Sequence, residues 1–210
     1  MIITVAHQKG GVGKSTIAVN LAVEMQLPIV DLDSQNSCYL FSKVREKKQR
    51  KSLQVFTPET LEEIKEILQN VDHRKLIIDS GGYDNDLNRF ALIASDLVVT
   101  PVSPSQIEIF GLQKFAQIIE KAREYRPDLK VYVLINNADA RSKSEIIELE
   151  KFIQTVPLFR ILNSRIFCRV DYKRAYQQGL SVCEYKPESK TCREVRRLIR
   201  EIDDLYVDNT

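Results

Sequence analysis

Residues 8 to 16 read Gln-Lys-Gly-Gly-Val-Gly-Lys-Ser-Thr, and this stretch decides the fold. A short β-branched run at residues 2–6 precedes it, and a helical pattern of apolar residues at 15–25 follows it. Loops that bind phosphate between a strand and a helix follow the pattern Gly-x4-Gly-Lys-Ser/Thr. Gly13, Lys14 and Ser15 match the end of that pattern, whereas Gln8 replaces its opening glycine. The sequence therefore predicts a phosphate-binding loop after the first strand.

Each residue type in this loop has a chemical reason to be there. Glycines at positions 10, 11 and 13 let backbone N–H groups turn toward phosphate oxygens with no Cβ in the way. Lys14 places a positive charge beside the β- and γ-phosphates, and the Ser15 hydroxyl can ligate Mg²⁺. We therefore expect Mg²⁺ together with ATP or ADP, the nucleotide being held by Lys9, Gly10, Gly11, Val12, Gly13, Lys14, Ser15 and Thr16.

The rest of the chain alternates between strand and helix patterns. Apolar runs predict strands at residues 28–32, 76–78, 97–100, 130–135 and 159–162, and amphipathic patterns predict helices at 61–68, 111–125 and 191–205. Capping residues predict helix starts at Thr57 with Pro58, at Ser142 with Glu145 and at Thr191 with Glu194.

This alternation predicts an α/β fold of the P-loop NTPase type, a mostly parallel sheet with helices on both faces, in a single domain spanning residues 1–210. Such sheets bind ligands beyond the carboxyl ends of their strands. The polar residues that follow predicted strands are Asp31, Asp33, Asp79 and Asn136.

Lys9 adds a second lysine to the loop, five positions before Lys14. It cannot easily reach its own phosphates from the side that Lys14 occupies. The form Lys-Gly-Gly-x-Gly-Lys-Ser/Thr resembles the deviant Walker A loop of the ParA/MinD family of ATPases. In that family the extra lysine reaches across an ATP-sandwich dimer to the partner's nucleotide. The resemblance implies that Lys9 and Lys14 are both catalytic, with Lys9 neutralising transition-state charge in trans, as an arginine finger does.

The same resemblance assigns roles to the polar residues after the strands. The segment Asp-Leu-Asp-Ser-Gln is similar to one in which the second acid positions or activates the attacking water. The resemblance thus implies catalysis and metal binding for Asp33, with Asp31 supporting the site from behind. Asp79 ends a strand similar to a Walker B strand and is expected to hold Mg²⁺ through a water. Asn136 is expected at the base, where Asn137 could equally serve.

Positive charge is concentrated in two segments, although the net charge is only +2. Residues 165–200 hold ten basic and four acidic residues, which favours an anionic partner over a merely solvated face. Residues 43–51 hold six basic residues and one acid, and they form either a second DNA contact or a solvated loop.

The predicted last helix carries arginines at 193, 196, 197 and 200 on one face and apolar residues on the other. Such a stripe binds phosphate backbones without reading bases. The resemblance implies that the ATP-bound dimer engages non-specific double-stranded DNA, through Arg169, Lys173, Arg174, Arg193, Arg196 and Arg197.

Other classes of protein fit the sequence less well. No apolar run approaches the roughly 20 residues of a membrane span. The acidic end at residues 203–208 is unlike an amphipathic anchor, so we expect no membrane binding. The cysteines form no Cys-x-x-Cys pair, which argues against a zinc or iron–sulfur site. We expect reduced thiols in a cytoplasmic protein, at Cys38, Cys168, Cys183 and Cys192.

The resemblance as a whole implies a ParA-like partition ATPase that segregates a plasmid or another mobile element. It would form a homodimer with ATP, associate with the nucleoid, and hydrolyse ATP when stimulated by a ParB-like centromere-binding protein. The chain begins at its first strand, as in small partition ATPases without an N-terminal DNA-binding domain. Alternatives are a MinD-like positioning factor or an ATPase serving conjugation or secretion. A small-molecule synthetase is disfavoured by Lys9, and a metal-dependent reductase by the cysteine spacing.

Overall fold

The computed structural model describes residues 1–71, 75–139, 141 and 143–207. Within them seven parallel strands form one sheet, in the order β3-β2-β4-β1-β5-β6-β7. The strands are β1 (Ile2–Val5), β2 (Ile29–Asp31), β3 (Val55–Phe56), β4 (Leu76–Asp79), β5 (Leu97–Val102), β6 (Val131–Ala138) and β7 (Phe159–Phe167). The predicted α/β fold with a parallel sheet is confirmed.

Helices cover both faces of the sheet. They are α1 (Lys14–Met25), α2 (Ser37–Lys47), α3 (Leu61–Asn70), α4 (Asp86–Ala94), α5 (Gln106–Tyr125), α6 (Lys143–Gln154), α7 (Val170–Gln177), α8 (Val182–Tyr185) and α9 (Lys190–Val207). Along β1, Ile3 and Val5 pack with α1, α2 and α7–α9, whereas Ile2 packs with α3 and α4. Helices α5 and α6 share the face of α3 and α4. No helix in the described ranges is long and apolar enough to cross a membrane.

The order of the strands brings the predicted site residues together. β1 lies at the point where the chain changes direction across the sheet, with β4 on one side and β5 on the other. In register, Val5 pairs with Asp79, and Asp79 pairs with Asp31 on β2. The phosphate loop and both aspartates therefore share one edge of the sheet, at a topological switch point.

Helix starts depart from the sequence prediction where a nearby residue caps better. α3 is capped by Thr60, whose hydroxyl accepts the Glu63 N–H at 3.2 Å, and not by the Thr57 and Pro58 pair. α9 begins at Lys190, because the Ser189 hydroxyl accepts the Cys192 N–H at 3.0 Å. The predicted capping box of Ser142 with Glu145 lies outside the described residues. α5 begins at Gln106, five residues before the predicted start.

Cys183 and Cys192 form a disulfide, so the expectation of reduced thiols is wrong for this pair. The short helix α8 turns back onto the first turn of α9 and brings the two Cα atoms to 4.6 Å. A spacing of nine residues carries no motif that predicts this contact. The remaining two cysteines are free, Cys38 buried and Cys168 exposed.

Candidate nucleotide-binding site

The phosphate loop turns from β1 into α1 at the carboxyl edge of the sheet. Gly13 precedes α1 with φ of +96°, a conformation that a side chain would strain, and a Cβ there would lie 2.4 Å from Nδ2 of Asn136. By contrast, a Cβ on Gly10 or Gly11 would meet no atom of the described residues within 4 Å. The rim of the loop therefore faces open space, and this leaves room for phosphate groups to approach the backbone N–H groups.

The two lysines of the loop occupy different environments. Lys14 is only 5% exposed, and its Nζ donates to the backbone carbonyl of Lys9 at 3.1 Å. Burial lowers the pKa of Lys14, although Asp79 and Asp33 oppose that shift. The Lys9 side chain is 37% exposed, and its Nζ lies 2.5 Å from Oε1 of Glu108 on α5. Lys14 thus lies inside the loop, whereas Lys9 lies along its rim and is held by an acid.

His7 anchors the start of the loop. Its ring is buried, lies against Phe115 with ring centroids 5.5 Å apart, and accepts the Lys9 N–H on Nδ1 at 2.9 Å. Burial, with the charges of Lys14 and Lys9, lowers the pKa of His7 to about 4. The imidazole is therefore neutral near pH 7, which lets Nδ1 accept that backbone hydrogen bond.

Asp31 and Asp33 organise the turn between β2 and α2. The Asp31 carboxylate accepts the N–H groups of Cys38 at 2.9 Å and Tyr39 at 3.1 Å on Oδ2, and that of Asp33 at 3.2 Å on Oδ1. These bonds satisfy N–H groups at the start of α2, in keeping with a supporting role for Asp31. Asp33 is partly exposed and accepts the Gln35 N–H on Oδ1 at 3.0 Å.

Asp79 is fully buried at the end of β4, directly beside the loop. Its Oδ2 accepts the Cys38 S–H at 3.2 Å, and its Oδ1 has no hydrogen-bond partner among the described residues. Burial raises the pKa of Asp79 to about 7, Asp31 adds to the rise, and Ser15, Cys38 and Lys14 oppose it. A buried carboxylate oxygen without a hydrogen-bond partner among the described residues is the kind of oxygen donor that Mg²⁺ prefers.

We expect Asp79→Asn to remove a pH dependence from the stability of the nucleotide-free protein. A carboxyl whose pKa rises on folding stabilises the fold fully below its unfolded value of 3.8, and this gain is lost as the pH rises through about 7. Between pH 5 and pH 8, the wild-type protein should lose on the order of 2 kcal/mol relative to Asp79→Asn.

Urea denaturation at both pH values, with chelator and without nucleotide, measures this difference. The titration of His7 is common to both proteins and cancels. If the difference in free energy of unfolding between the two proteins were the same at pH 5 and pH 8, the prediction would fail. Folding would then not raise the pKa of Asp79.

Three residues at the site were missed in the sequence. His7 directly precedes the loop and Cys38 opens the helix after Asp31, so both had a local signal, whereas Glu108 is 99 residues from Lys9 and had none. Asn136, predicted at the base, lies behind the loop and donates from Nδ2 to the Val12 carbonyl at 2.7 Å.

The basic stripe on α9 forms as predicted on one face of that helix. Val195, Leu198 and Ile202 are buried beneath α9, while the arginines at 193, 196, 197 and 200 are exposed. Within the described part of the chain, none of these four arginines pairs with an acid. A groove of about 410 Å³ runs between α9 and β7, lined by Asn163, Arg165, Phe167, Lys190, Arg193, Glu194 and Arg197.

The other basic residues predicted to contact DNA differ in exposure and in whether an acid pairs with them. Lys173 and Arg174 are exposed on α7, but Arg169 lies 2.6 Å from Glu194, so its charge is already neutralised. The segment at residues 43–51 is no loop in its first half, since α2 runs to Lys47. Within it Arg45 is 2% exposed and pairs with Glu184 at 2.6 Å.

Comparison with known proteins places this site in context. A family model described as the CobQ/CobB/MinD/ParA nucleotide binding domain matches residues 3–182. The chain is 23% identical to the maintenance of carboxysome distribution protein A of Halothiobacillus neapolitanus, over 95% of both proteins.

Solved structures share the fold. A Borrelia burgdorferi B31 protein assigned to plasmid partition and bound to AMPPNP superposes with a TM-score of 0.71 at 19% identity, covering 97% of this chain and 98% of that one. The septum site-determining protein MinD of Pyrococcus horikoshii OT3, in complex with Mg-ADP, gives 0.71 at 20% identity, covering 97% and 96%.

Proposed function

The chain belongs to the CobQ/CobB/MinD/ParA family of nucleotide-binding domains, and we propose that it is a ParA-type ATPase that segregates DNA. In this proposal ATP and Mg²⁺ close two copies face to face, and the dimer binds non-specific double-stranded DNA of the nucleoid. A ParB-like protein on the cargo then stimulates hydrolysis and releases the dimer. The observation that carries the proposal is the separation of Lys14, buried inside the loop, from Lys9, exposed on its rim.

The loop and the two acids supply a complete set of groups for phosphate chemistry. Backbone N–H groups of the loop and Lys14 would hold the phosphates, while Ser15 and Asp79 would hold Mg²⁺. When bound, Mg²⁺ neutralises negative charge on the phosphates. Asp33 lies partly exposed after β2, where its carboxylate can orient the attacking water.

The edge of the sheet that carries the loop is also suited to contact a second copy. Large apolar side chains are exposed on the segments that follow β2, β4 and β5, namely Tyr39, Leu40, Tyr83, Ile107 and Phe110. Ile107 and Phe110 flank Glu108, and they are 67% and 64% exposed. A face-to-face dimer would bury these side chains and bring Lys9 toward the nucleotide of the other copy.

Positive charge on α9 supports DNA as the surface on which the dimer is retained. When exposed arginines without acidic partners contact phosphates, the counterions condensed on the DNA are released. This release supplies affinity that does not depend on the DNA sequence. Val195, Leu198 and Ile202 on the apolar face of α9 are buried against the domain, which leaves the described part of this face little apolar surface to insert into a bilayer.

One relative supports a second candidate function, in which the cargo is a protein assembly and not DNA. The full-length similarity to a carboxysome distribution protein favours an ATPase of the same mechanism that positions a protein assembly on the nucleoid. Both candidates predict ATP-dependent DNA binding, and they differ only in the partner that stimulates hydrolysis.

The experiment that tests the proposal combines molecular mass and DNA binding in three nucleotide states. With ATP or a non-hydrolysable analogue, the protein should be a dimer that binds arbitrary duplex DNA, and with ADP a monomer that does not. Flotation with anionic vesicles provides the parallel test for a MinD-like membrane cycle. A monomer that ignores DNA in every state would overturn the proposal and favour a small-molecule enzyme.

We expect Glu108→Gln to strengthen ATP-dependent dimerisation. The Lys9–Glu108 ion pair is partly exposed and must break before Lys9 can cross to a second copy, so its removal lowers the cost of closure. Exposed pairs contribute up to about 1 kcal/mol, and leaving the Glu108 side chain unpaired costs at least that much because it is only 11% exposed, so the dimer dissociation constant should fall at least about two- to fivefold.

Analytical ultracentrifugation with the ATP analogue measures this constant. Glu120→Gln, an exposed acid on the same helix, is the matched control and should leave the constant unchanged. Weaker dimerisation of Glu108→Gln would show that the glutamate supports the closed state instead.

A further inference from the structure

A cysteine lies in the floor of the nucleotide site, where the sequence gives no metal-binding motif. Cys38 is fully buried in the first turn of α2, and its Sγ is 3.2 Å from Oδ2 of Asp79. One potential ligand atom from each of Asp31, Cys38 and Asp79 lies within 4.8 Å of the other two. Three separate elements, the ends of β2 and β4 and the start of α2, thus bring two oxygen donors and one sulfur donor together.

Asp79 has the least satisfied carboxylate of the cluster, because Asp31 already accepts three backbone N–H groups. Asp31 and Asp79 are both buried, and no base within the described ranges forms an ion pair with either. Oδ1 of the fully buried Asp79 lacks a hydrogen-bond partner among the described residues. Buried carboxylates of this kind are normally paired or bound to a metal.

We propose that Asp31, Cys38 and Asp79 bind a thiophilic divalent cation of the Zn²⁺ class. A thiolate favours Zn²⁺ or Co²⁺ over Mg²⁺, which selects oxygen donors. Three protein ligands and a water complete the tetrahedral arrangement that zinc adopts. On binding, the Cys38 thiol gives its proton to solvent and the sulfur coordinates as thiolate. The spacing of the four cysteines cannot predict this site, because only one of them contributes to it.

Such a site would regulate the ATPase, and this consequence rests on the proposed function. Asp79 cannot serve the thiophilic cation and the Mg²⁺ of the nucleotide complex together, so Zn²⁺ should inhibit in competition with Mg²⁺. Cys38 also follows the turn that carries Asp33, and a cation bound to it would fix the start of α2 against β4.

Titration of the nucleotide-free full-length protein with Co²⁺ tests the site without any dependence on ATPase activity. We expect a thiolate-to-cobalt charge-transfer band that saturates at one ion per chain and is abolished by one equivalent of Zn²⁺. Cys38→Ser should lose the band and bind Co²⁺ at least about 100-fold more weakly, since even the loss of an outer-shell partner costs 10–100-fold. Cys168→Ser, which removes the exposed free thiol, should keep both the band and the affinity.

Two further measurements, on a second Cys38 variant and on displacement of cobalt by Mg-ATP, separate the metal site from its proposed regulatory effect. Cys38→Ala, compared by circular dichroism and thermal melting, supplies a second folded variant in case serine perturbs the buried position. A band that is absent from the wild-type protein, or that survives both Cys38 variants, overturns the site. If the band behaves as expected but Mg-ATP does not displace the cobalt, the metal site stands and its proposed regulation of the nucleotide site is wrong.

Discussion

Lys9→Ala should abolish ATP-dependent dimerisation and lower ATP turnover by about 10³-fold, the lower end of the contribution of an arginine finger. The side chain is 37% exposed on the rim of the loop, and its only contact with a charged group in the described residues is Glu108. It therefore contributes little to the phosphate cradle of its own chain. The groups that its backbone supplies, a carbonyl to Lys14 and an N–H to His7, remain in the alanine variant.

Measuring nucleotide affinity distinguishes the role of Lys9 in the dimer from the role of Lys14 in binding the phosphates of its own chain. A fluorescent ATP analogue should bind monomeric Lys9→Ala within about threefold of the wild type, whereas Lys14→Ala should lose most binding, because Lys14 supplies the buried charge at the phosphates. Lys151→Ala, an exposed lysine on α6, controls for the loss of one positive charge. If Lys9→Ala still dimerised and turned over ATP at the wild-type rate, the lysine would be a surface residue and the crossing mechanism would be wrong.

The parts of the molecule that the sequence predicted well are those set by local chemistry. Gly13, Lys14 and Ser15 predicted the loop, because only this combination provides a left-handed turn, a buried charge and a hydroxyl at a helix start. Strand ends predicted that Asp31 and Asp79 share an edge, and the parallel register places them side by side. Local patterns therefore carried the fold and most of the candidate site.

What the sequence could not predict depends on distant contacts. Glu108 reaches Lys9 only because α5 begins five residues before its apolar pattern, at an end that packs beside the loop. Cys38 reaches Asp79 because β2 and β4 are neighbours in the sheet although they are separated in the chain. The disulfide likewise follows from the turn between α8 and α9. Each contact combines two elements whose relative position the local pattern leaves open.

Neutralising the stripe on α9 should have the second large effect. The triple variant Arg193→Gln, Arg196→Gln, Arg197→Gln removes six arginines from the ATP-state dimer, so it should reduce the slope of log affinity against log salt by about 5 and weaken binding at low salt roughly 100-fold or more. Gln keeps the length and helix propensity of the side chains, and the buried face of α9 is unchanged, so the fold should persist.

Fluorescence anisotropy with a random-sequence duplex, from low to high salt and with the ATP analogue, measures the slope. The matched control removes three exposed lysines from the opposite face of the sheet, with Lys114, Lys143 and Lys151 each changed to Gln. This control should retain the wild-type slope, because it changes net charge equally without touching α9. If both variants lost DNA affinity equally, the effect would be one of general charge. If the α9 variant lost no affinity, the DNA would not bind to this helix.

The slope of log affinity against log salt, measured with ATP analogue and with ADP, also tests how ATP switches DNA binding on. Each copy carries one stripe, so a dimer doubles the number of phosphate contacts without any change in α9 itself. Because log affinity depends linearly on the number of neutralised phosphates, doubling the contacts multiplies weak monomer binding into strong dimer binding. The slope of the ATP-state dimer should therefore be about twice that of the ADP-state monomer. Equal slopes with different affinities would mean instead that nucleotide binding rearranges the surface around α9.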